Sequence, residues 1–139
     1  MATKLANPKA SRRKISWQQY QKDVERLADK LGFNEFRTRV CYTGVYGIPR
    51  GGSVVAVSLS HLLGIPLLSK PESGCIVCDD LVDEGVTMEK VVGVRPYTCA
   101  TLYRKDRTRY EPDFVVRTIN AFIVFPWETD ESAQCDRLK

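Results

Sequence analysis

Ile76-Val77-Cys78-Asp79-Asp80-Leu81-Val82-Asp83-Glu84-Gly85-Val86-Thr87 runs from a short apolar stretch into two adjacent carboxylates, a glycine-containing turn and a helix start. The apolar stretch reads as a strand. Gly85 permits close approach of the backbone to a ligand, and the amides around it can converge on an anion. Thr87 adds a hydroxyl, and the following helix aims its positive end at the same point. The stretch reads as a phosphate cradle. It is not a Walker loop, because it has no Gly-Lys-Ser/Thr. Asp79 and Asp80 suit vicinal hydroxyls or a water-rich magnesium ion, which prefers one or two carboxylates plus ligand oxygens.

Working outward, the same alternation of strand, loop and helix recurs. Ser16 and Gln19 have the spacing of a capping box. Trp17, Tyr20, Val24, Leu27, Ala28 and Leu31 then follow the helical period as a core-facing stripe, with Gly32 as the stop. Residues 40–46 are β-rich and lead into a punctuated loop at 47–52. Residues 53–63 read as a buried helix closed by Gly64, and 65–68 as a short strand at an edge because of Pro66. A turn at 69–74 precedes the strand at 75–78. The loop at 79–86 and a helix at 87–92 follow. Strands are expected at 98–103 and 114–116, separated by a basic loop at 104–112, with a last apolar run at 119–125. No repeat is visible. This order predicts a single α/β domain with a mostly parallel twisted sheet flanked by helices. In such sheets the ligand crevice lies beyond the carboxyl ends of the strands.

The chain has 139 residues, 43% of them hydrophobic and 27% charged, which is the composition of one globular domain. No apolar run approaches the ~18 residues of a membrane span, and the N-terminus has no signal-peptide stretch. The net charge is +4. Five cations, Lys4, Lys9, Arg12, Arg13 and Lys14, precede Ile15 with no acid among them, so residues 15–139 carry a net −1. Residues 1–14 are therefore expected to be a basic flexible leader, and 15–139 the domain. A basic leader either touches nucleic acid or an acidic partner, or is simply solvated.

Cys41, Cys75, Cys78, Cys99 and Cys135 are irregularly spaced. Cys75 and Cys78 form a C-x-x-C, but a zinc site lacks its remaining ligands, since His61 is the lone histidine. Residues three apart on a strand point to opposite faces, so the two sulfurs diverge. Buried structural thiols in a reducing compartment, the cytoplasm, are expected. His61 is left without a role.

Ile48-Pro49-Arg50-Gly51-Gly52-Ser53 also follows a strand and precedes a helix. Its glycine amides and guanidinium are equipment for a second phosphate-rich group. With both loops in hand, the sequence resembles the type I phosphoribosyltransferases. The match at 76–87 departs from that family's pattern only at Glu84, where Thr or Ser is usual. The likeness extends over 15–130, and within the family it is greatest to the short 6-oxopurine (xanthine-guanine and hypoxanthine-guanine) enzymes. Lys105 matches the lysine that reads the purine 6-oxo group. Phe122 and Ile123, followed by Pro126, Trp127 and Glu128, look like the purine pocket.

The resemblance implies transfer of the 5-phosphoribosyl group from phosphoribosyl pyrophosphate to N9 of guanine, xanthine or hypoxanthine, releasing pyrophosphate. On this reading Arg50 and Gly51 hold pyrophosphate, and Asp79 and Asp80 hold the ribose hydroxyls, directly or through Mg2+. Glu84, Gly85, Val86 and Thr87 hold the 5-phosphate, and Asp83 is the acid/base group at purine N7. Lys105, Phe122, Ile123 and Glu128 bind the purine. It also implies a cis peptide at Pro49-Arg50 and a homo-oligomer, dimer or tetramer. Two departures stand out. Glu84 puts a carboxylate beside the phosphate, and only residues 69–74 span the gap where relatives carry a long mobile loop. The 104–110 segment or a partner subunit could shield the site in its place. One rival is a non-catalytic sensor of a nucleotide or phosphoribosyl pyrophosphate that binds nucleic acid through the basic leader. Another is a related transferase with a different base.

Overall fold

The computed structural model describes residues 12–133. Its elements are β1 (Arg12–Lys14), α1 (Trp17–Gly32), β2 (Val45–Gly47), α2 (Gly51–Leu63), β3 (Ile76–Val82), α3 (Val86–Val92), β4 (Thr98–Arg104), β5 (Phe114–Thr118), β6 (Phe122–Val124) and α4 (Asp130–Ala133). Strands β2, β3, β4 and β5 form one parallel sheet in that order. Strands β1 and β6 make a separate parallel pair, with Arg12 opposite Phe122 and Lys14 opposite Val124. Residues 12–14 are a strand because β6 offers them a ladder, while the rest of the basic leader lies outside the described residues. No helix among the described residues is long and apolar enough to cross a membrane.

Helix α1 starts where the sequence placed it, with the Ser16 hydroxyl accepting from the Gln19 N–H at 3.0 Å. The reciprocal half of the capping box is not made, because the Gln19 side chain turns to Asp23 instead. Tyr20, Val24, Leu27, Ala28 and Leu31 are buried as expected. Trp17 is the exception at 57% exposure, lying edge-on to Tyr20 at the rim of the stripe. Gly32 is the last helical residue and not a stop beyond it. Helix α2 ends at Gly64, whose left-handed backbone lets its N–H reach the Ser60 carbonyl.

The sheet divides two cores. Leu27 and Leu31 of α1 and Val55 and Leu59 of α2 pack with Ile76, Cys78 and Leu102. Met88 and Val92 of α3 pack on the other face with Cys75, Val77 and Cys99. Each fully buried Leu or Met contributes roughly 1.5–3 kcal/mol of transfer free energy, so these two layers hold the sheet in place. Cys75 and Cys78 fall in different cores, as the period of two requires. Cys41, Cys75, Cys78 and Cys99 are all free thiols.

Three expected elements differ. The β-rich run at 40–46 yields only β2, because pairing to β3 begins at Val45. The strand expected at 65–68 shrinks to a single parallel bridge between Leu67 and Val45 at the outer edge of β2. Strand β3 continues past Cys78 to Val82, its ladder with β4 carrying Asp79 opposite Thr101 and Leu81 opposite Tyr103. The two acids read as loop residues are thus strand residues.

The turn at 69–74 has a definite place. Thr43, just ahead of β2, donates its N–H to the Gly74 carbonyl and its hydroxyl to the Ser73 carbonyl. The Gly74 N–H reaches the carbonyl of Pro96, just ahead of β4. The turn therefore runs beneath the amino ends of the strands. The loops of chemical interest leave from the carboxyl ends.

Candidate active site

Three loops meet at the carboxyl edge of the sheet, from β2, β3 and β4. The first, 48–50, carries a cis peptide at Pro49-Arg50 and enters α2 through Gly51 and Gly52, both buried. The Ile48 N–H donates to the Cys78 carbonyl at 2.9 Å, which extends the β2–β3 seam to the acids. Gly51 then lies flat against Asp80, since a Cβ on it would stand 1.7 Å from Oδ2. Gly52 lies against Asp79, with a Cβ there 3.2 Å from Oδ1. The pyrophosphate loop and the acid pair expected from sequence are thus in contact. Arg50 is exposed at the start of α2.

Asp79 and Asp80 are 3% and 1% exposed. The Asp80 N–H donates to Asp79 Oδ1 at 2.8 Å. Desolvation is the first reason that the Cys78 thiol beside them is pushed well up, with the two carboxylates adding to it. On the far core face, burial and then the charge of Asp113 push Cys99 up to about 12. Burial and these shifts disfavour the thiolate form of both.

The second loop opens a cavity of about 190 Å3, lined among others by Asp79, Asp83, Gly85 and Thr87. Gly85 has φ 88, a left-handed backbone that a side chain disfavours. Glu84 and Thr87 are exposed, and Val86 is half-buried. The Glu84 carboxylate is therefore at the surface and only its main chain faces inward, its carbonyl accepting from the Arg109 N–H at 3.0 Å. Asp83 is clasped by Arg107, with Nε on Oδ1 at 2.6 Å and Nη2 on Oδ2 at 2.8 Å. That bond holds Arg107 above its ordinary pKa.

The third loop follows β4. Its basic residues separate sharply. Arg104 pairs with Glu111, Arg107 with Asp83 and Arg109 with Glu89. Lys105, half-buried, has no side-chain hydrogen bond or ion pair with the described residues. Its N–H donates to the Val82 carbonyl at 3.0 Å, which anchors it at the mouth of the second loop.

The residues read as the purine pocket are spread more widely. Asn120 and Asp106 exchange hydrogen bonds at 2.9 and 2.7 Å, which brings the start of β6 to the third loop. Phe122 is half-buried there, and the Arg12 guanidinium lies 5.1 Å over its ring. Ile123 is 5% exposed and its side chain belongs to the core. Trp127 stacks on Phe125 at 4.9 Å, and Glu128 accepts from the Phe125 N–H. Glu128 lines a different, larger cavity of about 370 Å3 off the ends of β1 and β6. Sequence reading missed Arg107, Thr108 and Tyr110. A basic loop and an acidic loop leaving the carboxyl ends of adjacent parallel strands must meet, and that adjacency was the available signal.

The comparisons with known proteins bear on the family and the fold. No family model matches the chain. A xanthine-guanine phosphoribosyltransferase of Desulfotalea psychrophila is 31% identical, covering 84% of this chain and 86% of that protein. A purine phosphoribosyltransferase from Pyrococcus horikoshii superimposes with a TM-score of 0.71 at 29% identity, covering 86% of this chain and 95% of that one. The Helicobacter pylori xanthine-guanine-hypoxanthine enzyme shares the fold, with a TM-score of 0.73 at 19% identity over 90% and 99% of the two chains. The parallel sheet with three loops gathered at its carboxyl edge is that of the type I phosphoribosyltransferases, and the chain belongs to their xanthine-guanine family.

Proposed function

We propose that the chain transfers the 5-phosphoribosyl group from phosphoribosyl pyrophosphate to N9 of a 6-oxopurine, releasing pyrophosphate. The observation that carries this is Lys105, a cation of the third loop without a side-chain partner among the described residues, whose N–H is held by Val82, a residue lining the 79–88 cavity. A lone ammonium beside a phosphate cradle suits an exocyclic carbonyl oxygen of the acceptor base. The related xanthine-guanine enzymes support the same substrate class.

In this reaction the bond from C1 of the ribose to the pyrophosphate oxygen breaks and the bond to N9 forms. Negative charge grows on the departing group, so the chain's task is to hold both reactants and stabilise that charge. Arg50 and the Gly51 main chain face the pyrophosphate. Main-chain groups of 84–87 with the Thr87 hydroxyl hold the 5-phosphate, and Asp79 and Asp80 face the ribose hydroxyls. Asp83 manages the proton at purine N7, a role typically worth ~10²–10⁴ in rate. Phe122, the Ile123 main chain and Glu128 complete the base side.

Asp79 and Asp80 are hard oxygen donors, and no cluster of three or more His, Cys, Asp or Glu that could hold a metal is found among the described residues. That donor set fits Mg2+ held by one or two carboxylates, water and the substrate's own oxygens. When bound, the ion would offset the negative charge that grows on the departing pyrophosphate. We place the protein in the cytoplasm as a homo-oligomer, the former consistent with its free thiols.

The test is pyrophosphate release from phosphoribosyl pyrophosphate and Mg2+ with guanine, xanthine, hypoxanthine, adenine, uracil and orotate in turn. Turnover confined to the 6-oxopurines is the expected result. Saturable binding of phosphoribosyl pyrophosphate with no turnover on any base would overturn it.

A further inference from the structure

The segment 105–110 crosses the front of the cradle and is tied to it repeatedly. Lys105 N–H holds the Val82 carbonyl, Arg109 N–H the Glu84 carbonyl, and the Arg109 guanidinium the Glu89 carboxylate. Thr108 and Tyr110 close on Gly85, where a Cβ would stand 2.5 Å from Thr108 Oγ1 and 2.8 Å from the Tyr110 nitrogen. Within this seam Arg107 takes both oxygens of Asp83 along one edge of its guanidinium, at 2.6 and 2.8 Å.

A fork of that kind fixes the plane of a carboxylate as well as its place. Asp83 sits in a bend just past β3, where the backbone does little to orient its side chain. Each carboxylate oxygen has two lone-pair sites, so the fork occupies one on each and leaves the others for a donor approaching from the opposite side. With side chains 54% and 34% exposed, the pair contributes little to folding. Its consequence is orientation. The turn at 69–74 lies at the other edge of the sheet and orders nothing here.

We propose that Arg107 is a positioning residue of the transfer reaction, fixing the Asp83 carboxylate toward N7 of the base. The inference rests on the reading of Asp83 as the acid/base group. Through the same short segment, Arg107 also ties the base-reading Lys105 to the phosphate cradle. Lysine is a point charge that cannot form the fork, so charge alone does not substitute for Arg107.

Steady-state rates of the full chain would be compared for wild type, Arg107→Gln, Arg107→Lys, Asp83→Asn and the Arg107→Gln/Asp83→Asn pair. A misplacement of about 1 Å can cost ~100-fold, so Arg107→Gln is expected to lower kcat roughly 10- to 100-fold. KM for phosphoribosyl pyrophosphate and Tm are expected to stay at their wild-type values. Arg107→Lys should remain as slow as Arg107→Gln. In the Asp83→Asn background the glutamine substitution should add nothing beyond about twofold, since the two residues act as one unit. Equal losses in both backgrounds, or full rescue by lysine, would overturn the inference while leaving the transferase reading intact. So would a wild-type kcat in Arg107→Gln with Asp83→Asn slow. Wild-type speed in Asp83→Asn would remove the role of Asp83 and this inference with it. No transfer by the wild type would remove the functional reading itself.

Discussion

Gly51 and Asp80 touch through the α-carbon of one and the carboxylate of the other, leaving no room for a methyl group between them. The contact joins the loop after β2 to the acid pair on β3. Because Asp80 is 1% exposed, its carboxylate has no open water to retreat into. Gly51→Ala should therefore push the loop and the acid apart. Phosphoribosyl pyrophosphate binding, followed by calorimetry, is expected to weaken by ~10-fold or more, with a fall in Tm. Wild-type affinity in that variant would show that the contact does not shape the site.

Lys105 gives a more selective outcome. Sites that hydrogen-bond a substrate group lose that substrate steeply when the partner is removed. Lys105→Ala should raise KM for guanine or hypoxanthine ~10-fold or more and leave KM for phosphoribosyl pyrophosphate near its wild-type value. Parallel increases in both constants would place the lysine outside the base site.

Behind the site, Asp23 of α1 is fully buried. It accepts from Tyr103 Oη and from both Nε and Nη2 of Arg117. Burial opposes its charge, but the hydrogen bonds from Arg117, Tyr103 and Gln19 together outweigh it, and its pKa falls below the ordinary 3.8. A carboxylate depressed in the folded state stabilises the fold above its unfolded pKa, and that contribution is lost as the pH falls through the folded value. Asp23→Ala removes one partner of a buried ion pair and should cost roughly 3 kcal/mol in urea unfolding near neutral pH. The difference between wild type and variant should shrink steadily below about pH 4.

The thiols divide by exposure. Cys41 is exposed, while Cys75, Cys78 and Cys99 are buried, with pKa values raised first by desolvation. Brief iodoacetamide treatment followed by peptide mass spectrometry should label Cys41 in the native chain. The three buried cysteines should be labelled only after denaturation. Native labelling of Cys78 would mean that the core beneath the acid pair opens readily.

Residues 76–87 announced both the central strand and the glycine turn that follows it, because a strand ending in acids and a glycine turn is a local pattern. The limits of β3 were less legible. Asp79 and Asp80 read as loop residues, yet the ladder to β4 carries them into the strand, and only the partner's register decides that. Residues 12–14 become a strand for the same reason, through β6. Lys105 is singled out by its likeness to the family's lysine after this strand, but the pairing of Arg107 with Asp83 joins loops that only the strand order makes neighbours. Phe122 reads as part of the purine pocket by resemblance, and nothing local in the sequence points to Arg12 lying above it.

The turn at 69–74 is bound to Thr43 and to Pro96 at the far rim of the sheet. A segment held there does not cover the carboxyl edge of the sheet, where the leaving group would lie. On the transferase reading, water then competes with the purine as acceptor for the ribosyl cation-like centre, since excluding it is the usual work of a closing cover. The fidelity of this chain would then depend on order of arrival. A base already seated on Lys105 when the pyrophosphate bond stretches captures the sugar, and an empty base site lets hydrolysis consume the donor.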